Sequence, residues 1–192
     1  MARPRQYSDE DLLKHARRVF LKHGPSVSTT VIASACGMSQ AALFKRFSTK
    51  QELLLRALLP PMNHTCFGLL AKGPSAAPLR QQLIPLAQEI TDFFCQAVPA
   101  FICLRSSGIN TEALRDKEGL PPLMVLHQST TRWFEASAAR LKDINHENVA
   151  LMFLGALHLR AFSDYINPAT PTTPVDAYIE QIVDNLINGV QP

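Results

Sequence analysis

The side chains best suited to chemistry lie in residues 28–56, which read STTVIASACGMSQAALFKRFSTKQELLLR. Gly37 separates two short helical patterns there, and a basic patch follows the second pattern. This layout predicts a helix-turn-helix, whose second helix enters the major groove of DNA. In that position the amide of Gln40 pairs with an adenine edge through two hydrogen bonds, which contribute roughly 1–3 kcal/mol of discrimination between bases.

The other polar and small residues of this segment suit phosphates and the thymine methyl group. Lysine and arginine side chains contact phosphates, which position a protein on DNA without reading its sequence. Hydroxyl and amide donors at the start of a helix also bind phosphate, and an alanine methyl group packs against a thymine methyl group. The predicted DNA contacts are Ser28, Thr29, Ser39, Gln40, Ala41, Ala42, Phe44, Lys45, Arg46 and Lys50.

Short capped helices must hold these side chains in place. A serine oxygen accepts an unpaired backbone N–H at the start of a helix, and the predicted N-caps are Ser8, Ser28 and Ser39. Gly24 and Pro25 end the first helix, and Gly37 ends the second, where a left-handed turn favours glycine. Thr49 and Glu52 have the spacing of a capping box that opens a fourth helix. The predicted head is therefore three helices followed by a connecting helix.

The remainder of the chain is also predicted to be helical, so the expected fold class is all-α. Pro60 and Pro61 predict a break, because proline lacks a backbone N–H and clashes with the preceding turn. We therefore expect a DNA-binding domain over 1–60 and a second helical domain over 61–192. Its predicted helices are 78–98, 99–107 starting at Pro99, 121–142, 147–166 and 175–188 ending at Gly189, with a loop over 108–120 and a proline-rich connection over 167–174.

Composition and charge agree with a folded polyanion-binding protein. The 192 residues are 46% apolar and 18% charged, which suits a core and excludes a disordered chain. The sequence has no apolar run long enough for a membrane span and no secretory signal, so we expect a cytoplasmic location. Residues 1–59 contain ten Lys and Arg against four Asp and Glu, and the remainder contains nine against twelve. Such a basic head suits DNA, although a solvated helical surface explains the charge alone equally well.

The last two helical patterns carry more apolar surface than one chain covers easily. Residues 147–166 are apolar on nearly every side, and residues 175–188 form a wide apolar stripe. One interpretation is a central helix in a monomeric bundle. The favoured interpretation is a homodimer in which both helices meet their copies across a two-fold axis, with Gly155 and Ala156 allowing a close approach.

Residues 28–55 resemble the DNA-binding domain of the TetR (tetracycline-repressor-like) family of bacterial regulators. The matching residues are Ile32, Ala33, Ala35, Gly37, Ser39, Leu43, Phe44, Phe47, Lys50, Glu52, Leu53 and Leu54. The family commonly has tyrosine at the position of Phe44 and a hydroxyl near Ala41 and Ala42, so this chain lacks those hydrogen bonds. Specificity is therefore expected to depend more on Gln40 and Ser39.

The resemblance implies a one-component transcriptional regulator, with repression as the expected action, that binds a palindromic operator as a homodimer. It also implies that the second domain binds a small, mostly apolar effector that releases the DNA. The residues expected to contact this effector are His64, Phe67, Phe94, Phe101, Arg105, Met124, His127, Gln128, Thr131, Trp133 and Phe134. The alternatives are a DNA-binding dimer without an effector and a small helical enzyme.

Motifs for catalysis and metal binding are incomplete. His146 and Glu147 begin like an HExxH zinc motif, but Ala150 stands where the second histidine is required. The sequence has neither Gly-x-Ser-x-Gly nor a phosphate-binding glycine loop, so we expect no enzyme, cofactor or metal site. The four cysteines form no CxxC pair and are expected to be free thiols. A thiol sensor is the minor alternative, formed by Cys66, Cys95 and Cys103.

Overall fold

The structure is a computed structural model that describes residues 7–60, 62–109, 121–168 and 173–190. Every regular element in those ranges is a helix, so the all-α class predicted from the sequence is confirmed. The chain forms two compact units, of which the first combines Met1–Leu59 with Pro99–Thr111 and the second combines Pro60–Val98 with Glu112–Pro192. The segment from Pro99 therefore packs with the first unit, although the predicted division at residue 60 assigns it to the second.

Side-chain caps explain why the first unit contains four separate helices. They are α1 (Asp9–His23), α2 (Thr29–Ala35), α3 (Gln40–Phe47) and α4 (Lys50–Leu58). At the start of each helix, the side-chain oxygen of the predicted N-cap accepts the backbone N–H three residues later. At α4 the N–H of Thr49 donates to the carbonyl of Phe47, so the predicted capping box with Glu52 is only half formed.

One apolar core holds these helices together. Its fully buried members from α1 to α4 include Leu12, Phe20, Ile32, Leu43, Phe47, Leu53 and Leu58. The segment after Pro99 adds Ala100, Cys103 and Leu104, and the Cys103 sulfur lies 3.5 Å from the carbonyl oxygen of Phe20. Burying a Leu or Phe side chain contributes about 1.5–3 kcal/mol. Since helices as short as α2 and α3 are unstable alone, this shared core stabilises them.

The second unit is built from longer helices. They are α5 (Thr65–Lys72), α6 (Leu79–Ser106, of which the part up to Val98 belongs here), α7 (Pro122–Glu135), α8 (His146–Ile166) and α9 (Val175–Val190), with a 3-10 turn at Ala138–Arg140. Helix α8 packs against α7 and α9. Aromatic rings meet edge-on inside the unit, from Trp133 to Phe134 and from Phe134 to Phe153.

Two helix boundaries predicted for the second half of the chain are wrong because buried contacts override local signals. Pro99 does not begin a helix, since α6 continues through it to Ser106. Proline removes only its own N–H from the ladder, and the buried side chains of Val98 and Ala100 hold the helix on either side. The pattern over 121–142 ends early at Glu135, where the buried Ser137 hydroxyl donates to the carbonyl of Trp133.

The last helix also departs from its predicted end, because α9 runs through Gly189 to Val190. The backbone N–H of Lys142 donates to the carbonyl of Val190 at 2.7 Å, so a neighbouring segment satisfies the helix end without a glycine stop. The break at Pro60 is confirmed, since α4 ends at Leu58, whereas Pro61 lies outside the described residues. The predicted loop lies outside them from position 110 onward.

Candidate nucleic-acid interface

Helices α2 and α3 are joined by a tight turn at Gly37. This residue has a φ of 65°, in the left-handed region that disfavours residues with a Cβ atom. A Cβ atom placed there would lie 3.4 Å from Cε2 of Tyr7, an ordinary van der Waals distance, so the backbone conformation and not a lack of space favours glycine. The N–H of Met38 donates to the carbonyl of Ala33 at 3.1 Å and closes the turn. The start of α3 is therefore fixed to the end of α2.

Helix α3 has one buried face and one exposed face. Leu43 and Phe47, one turn apart, are fully buried in the core of the first unit, and Phe44 is half-buried against it. The side chains on the opposite side are exposed, namely Gln40, Ala41, Ala42, Lys45 and Arg46. The packing that secures the helix thus leaves the predicted base-reading residues uncovered, which is the arrangement a recognition helix requires.

The amide of Gln40 is oriented by a contact from α2. Its Nε2 atom donates a hydrogen bond to the hydroxyl oxygen of Thr30. A side-chain amide has two N–H donors and one carbonyl acceptor, so one N–H and the Oε1 atom of Gln40 stay free for a base edge. The sequence does not predict this role of Thr30, because its partner lies ten positions away and no local pattern marks the pair.

The hydroxyl groups predicted to meet phosphates also cap the helices. The Ser28 oxygen accepts the N–H of Val31 at 3.3 Å, and the Ser39 oxygen accepts the N–H of Ala42 at 3.2 Å. A serine hydroxyl can accept and donate at the same time. Capping therefore leaves the hydroxyl hydrogens of both serines available to a phosphate, beside Thr29 at the start of α2.

The three basic side chains predicted to contact phosphates have different surroundings. Lys45 is exposed and forms no ion pair within the described part of the chain. Lys50 borders a cleft of about 530 Å³ within the first unit. Arg46 is already engaged, because its Nη1 donates to the carbonyl of Tyr7 at 2.9 Å and to Oδ1 of Asp9 at 3.2 Å.

The residues predicted to contact an effector are divided between the two units. Phe101 and Arg105 belong to the first unit, where Phe101 packs against the core and Arg105 is exposed. The others belong to the second unit. There the ring of Phe93 meets three other rings edge-on, those of His64, Phe67 and Phe94.

The polar members of this set differ in how well their hydrogen bonds are satisfied. Nε2 of His64 lies 3.1 Å from Oδ2 of Asp92, and the Thr131 hydroxyl donates to the carbonyl of His127 at 3.0 Å. Met124 and Gln128 are exposed. Nε2 of His127 is buried and has no hydrogen-bond partner among the described residues. Because an unpaired buried polar atom is costly, His127 most needs a partner from beyond the described residues.

The cysteines lack the ionisation expected of thiol sensors. All four are free, and burial raises the pKa of the Cys36, Cys95 and Cys103 thiols and that of Cys66 to about 12. A raised pKa lowers the amount of thiolate, which is the reactive form. Within the described ranges, no group of three or more His, Cys, Asp or Glu side chains is placed to hold a metal ion.

Comparison with known proteins agrees with this geometry. Residues 12–57 match the model of a family described as bacterial regulatory proteins, tetR family. A TetR family transcriptional regulator from Pseudomonas syringae pv. tomato str. DC3000 has a similar structure, with a TM-score of 0.64, 18% identity and coverage of 97% of this chain and 98% of that chain.

Two further solved structures are similar over nearly their whole length. NalD, the secondary repressor of the MexAB-OprM multidrug efflux pump in Pseudomonas aeruginosa, has a TM-score of 0.67 and 19% identity, with 95% of this chain and 94% of that chain covered. The fatty acid degradation regulator FadR from Bacillus halodurans has a TM-score of 0.67 and 15% identity, with coverage of 95% and 96%. The resemblance predicted from the sequence is confirmed in the DNA-binding segment, and the shared fold extends over the rest of the chain.

Proposed function

We propose that this chain, which carries the DNA-binding domain of the tetR family in the fold of TetR-family regulators, is a one-component transcriptional repressor of the bacterial cytoplasm. It binds a palindromic operator as a homodimer and is released by a small, mostly apolar effector. The observation that carries this proposal is the exposed face of α3, where Gln40, Ala41 and Lys45 are uncovered beside the fixed turn at Gly37.

On DNA, the first turn of α3 faces the base edges of the major groove. Gln40 reads a base with its free N–H and Oε1, while Ser39 and the methyl groups of Ala41 and Ala42 contact neighbouring positions. Phosphates are held by Lys45, Lys50, Ser28 and Thr29, with Phe44 beside them. The two recognition helices of the dimer enter successive major grooves, about 34–36 Å apart.

The exposed face of α8 supports the homodimer. Its large apolar side chains that are more than a third exposed include Leu151, Met152, Leu159, Phe162 and Ile166. At about 100° per residue these positions fall within one quadrant or so of the helix, and Gly155 lies among them. Contiguous apolar patches on a soluble protein mark interaction surfaces. The copy of α8 in a second chain, together with α9, covers this face in the proposed dimer.

A membrane is a weaker explanation of the same helix. By length and composition alone, His146–Ile166 could cross a bilayer. Seven of its side chains are buried within the second unit, including the charged Arg160. Arg160 donates to Oδ2 of Asp164 and to the carbonyl of Thr173, both at 2.7 Å. These features suit a core helix with one interaction face.

Nε2 of His127, which has no partner in the part of the chain that the structure describes, supports an effector site in the second unit. The polar group of such an effector would form a hydrogen bond with Nε2 of His127. Its apolar part would pack against side chains of the second unit in place of their contacts with one another. Release of DNA requires that the effector bind the conformation with low DNA affinity more tightly, because only differential affinity shifts a population.

Selection of bound sequences from random DNA by the purified full-length protein tests the DNA-binding proposal. We expect an inverted repeat whose half-sites are one helical turn apart, or a multiple of it. Gln40→Ala is expected to relax base preference at one position in each half-site, whereas Lys50→Ala weakens binding to all sequences alike. Recovery of sequences without a shared motif would contradict the proposal.

The recovered operator then tests the effector. We expect at least one member of a panel of small apolar compounds, each with a single hydrogen-bonding group, to release labelled operator from the wild-type protein. His127→Phe should abolish release without changing operator affinity, whereas Arg132→Ala, an exposed position on the same helix, should leave release unchanged. If no compound released the operator, the DNA-binding dimer without an effector would be the better description.

A further inference from the structure

Arg46 lies on the exposed side of α3 but is bonded to the beginning of α1. Its Nη1 donates to the carbonyl oxygen of Tyr7 at 2.9 Å and to Oδ1 of Asp9 at 3.2 Å. The two acceptors precede Arg46 by 39 and 37 positions, so the contact is tertiary. It joins the last turn of the proposed recognition helix to a different helix of the same unit.

Asp9 also receives an arginine from α4. Its Oδ2 lies 3.9 Å from Nη2 of Arg56, and Nη1 of Arg56 lies 3.7 Å from Oε1 of Glu52. The guanidinium of Arg56 is 5.0 Å from the ring centroid of Phe47, the buried last residue of α3. One carboxylate therefore connects the end of α3 with the start of α1 and with the last turn of α4.

Tyr7 lies beside the turn at the other end of α3. Its Cε2 atom is the atom that a Cβ on Gly37 would approach to 3.4 Å. An edge-on contact with His15, at 5.7 Å between ring centroids, holds the Tyr7 ring against α1. The short segment Tyr7–Asp9 therefore reaches α3 both at the turn that precedes it and at its last turn.

We propose that Arg46 is a positioning residue and not a phosphate contact, and that it fixes, together with Tyr7 and Asp9, the angle at which α3 enters the major groove. This inference rests on the proposed DNA-binding function and deepens it. A phosphate that bound Arg46 would have to displace the Asp9 carboxylate or lie beside it, where two anions repel. Lys45, exposed on the same helix, has no ion pair and therefore no such competitor among residues 7–60, 62–109, 121–168 and 173–190.

A positioning residue and a phosphate contact affect DNA binding differently. Base contacts depend on hydrogen-bond geometry, so a change in the angle of α3 lowers the preference for the operator over unrelated DNA. Loss of one phosphate contact weakens binding to every sequence alike and lowers the salt dependence of log K by about 0.9. The two roles are therefore distinguishable without a structure of the complex.

The central experiment compares Arg46→Met with Lys45→Met, since both remove one positive charge from α3. Affinity for the selected operator and for a scrambled duplex is measured over a range of salt concentrations by fluorescence anisotropy. For Arg46→Met we expect operator preference to fall about tenfold, which is comparable to one mismatched base pair, with a nearly unchanged salt slope. For Lys45→Met we expect unchanged preference and a slope lower by about 0.9.

Asp9 supplies a second comparison. Asp9→Asn and Glu10→Gln each remove one acidic charge from the first turn of α1, but Glu10 pairs with Lys14 at 2.7 Å and not with α3. We expect Asp9→Asn to lower operator preference and Glu10→Gln to leave it unchanged. Adding Asp9→Asn to Arg46→Met should lower operator preference little further, because Arg46→Met alone already removes the ion pair between the two side chains.

The outcomes separate this inference from the proposed function. A wild-type protein that does not prefer any sequence would defeat the proposed function. A wild-type protein with normal preference whose Arg46→Met variant keeps it, and loses about 0.9 of the salt slope, would identify Arg46 as a phosphate contact and overturn the inference. Urea unfolding of the two single variants and the double variant tests the Arg46–Asp9 interaction without DNA. If the two single losses in free energy of unfolding simply added in the double variant, the side chains would not interact and the inference would be overturned as well.

Discussion

Helices α3 and α8 each leave one face uncovered, but the two faces have opposite chemistry. The uncovered face of α3 carries Gln40 and Lys45 beside two alanines. The uncovered face of α8 carries large apolar side chains, of which Met152 is 70% exposed and Leu159 is 61% exposed. Both helices are secured from behind, α3 by Leu43 and Phe47 and α8 by its seven buried side chains.

The difference in chemistry between the two exposed faces indicates what kind of partner each one suits. A polar and cationic face is stable in water, so α3 can bind and leave a polyanion repeatedly. A contiguous apolar face is unfavourable in water and is stable when a partner covers it permanently. This contrast supports the proposed reversible binding of DNA by the first unit and the proposed lasting association of the second unit with another copy of the chain.

The largest effect is expected from placing charge on the apolar face. Met152→Glu combined with Leu159→Glu should convert the proposed dimer to a monomer, because an unpaired buried charge costs about 3–5 kcal/mol and every 1.4 kcal/mol is a tenfold change in dissociation constant. Light scattering after size-exclusion chromatography measures the mass. Operator affinity should fall with it, since a palindrome is read by two heads.

The matched control for that double variant is Leu123→Glu. Leu123 is a large apolar side chain on α7 that is exposed to a similar degree as Phe162 but lies outside the α8 face. The Leu123→Glu substitution should leave the mass of the assembly unchanged. Equal masses for the wild type and the α8 double variant would instead indicate that another surface joins the copies or that the chain is a monomer.

An intermediate effect on stability is expected from replacing one glycine in each unit by alanine, because the two glycines have different backbone conformations. Gly37→Ala should lower the free energy of unfolding by about 1–2 kcal/mol, because the φ of 65° is unfavourable for alanine. Gly68 lies inside α5 with no atom within 4 Å of an added Cβ. Gly68→Ala should therefore raise the free energy of unfolding by about 0.5–1 kcal/mol. Urea unfolding measures both changes, and two changes of the same sign would contradict this explanation.

Signals that depend on few neighbouring residues could be predicted from the sequence. The Ser8 and Ser39 caps and the left-handed Gly37 form where the pattern places them, because each depends on a few adjacent residues. The buried face of α3 is also predictable, since Leu43 and Phe47 recur at helical spacing. These features establish that an exposed face of α3 exists and which residues lie on it.

Contacts between distant residues could not be predicted in this way. The engagement of Arg46 by Asp9 and the bond from Gln40 to Thr30 join residues on different helices, and neither leaves a periodic trace in the sequence. The continuation of α6 through Pro99 has the same origin, because it depends on burial of its neighbours. The sequence therefore predicts a phosphate contact for Arg46, whereas the contact of this side chain with Asp9 becomes visible only in the fold.

The smallest effect, taken over the single pH unit between pH 9 and pH 10, concerns the side chain of Cys66, which the single chain covers completely, in contrast to the α8 face. Burial raises the pKa of Cys66 to about 12, whereas the unfolded thiol titrates near 9.0. The unfolded state therefore loses this proton first as the pH rises, so the free energy of unfolding falls between pH 9 and pH 12, by up to about 1.4 kcal/mol per pH unit.

Urea unfolding between pH 8 and pH 10 measures this dependence. Cys66→Ala should lower stability at pH 8 but have a shallower decline, and the two curves should approach each other by about 1 kcal/mol between pH 9 and pH 10. Cys95→Ala, at an exposed position on α6, should change the decline less. Parallel curves for wild type and Cys66→Ala would mean that water reaches this thiol in the folded protein, and that the interior of the second unit is less completely covered than the first.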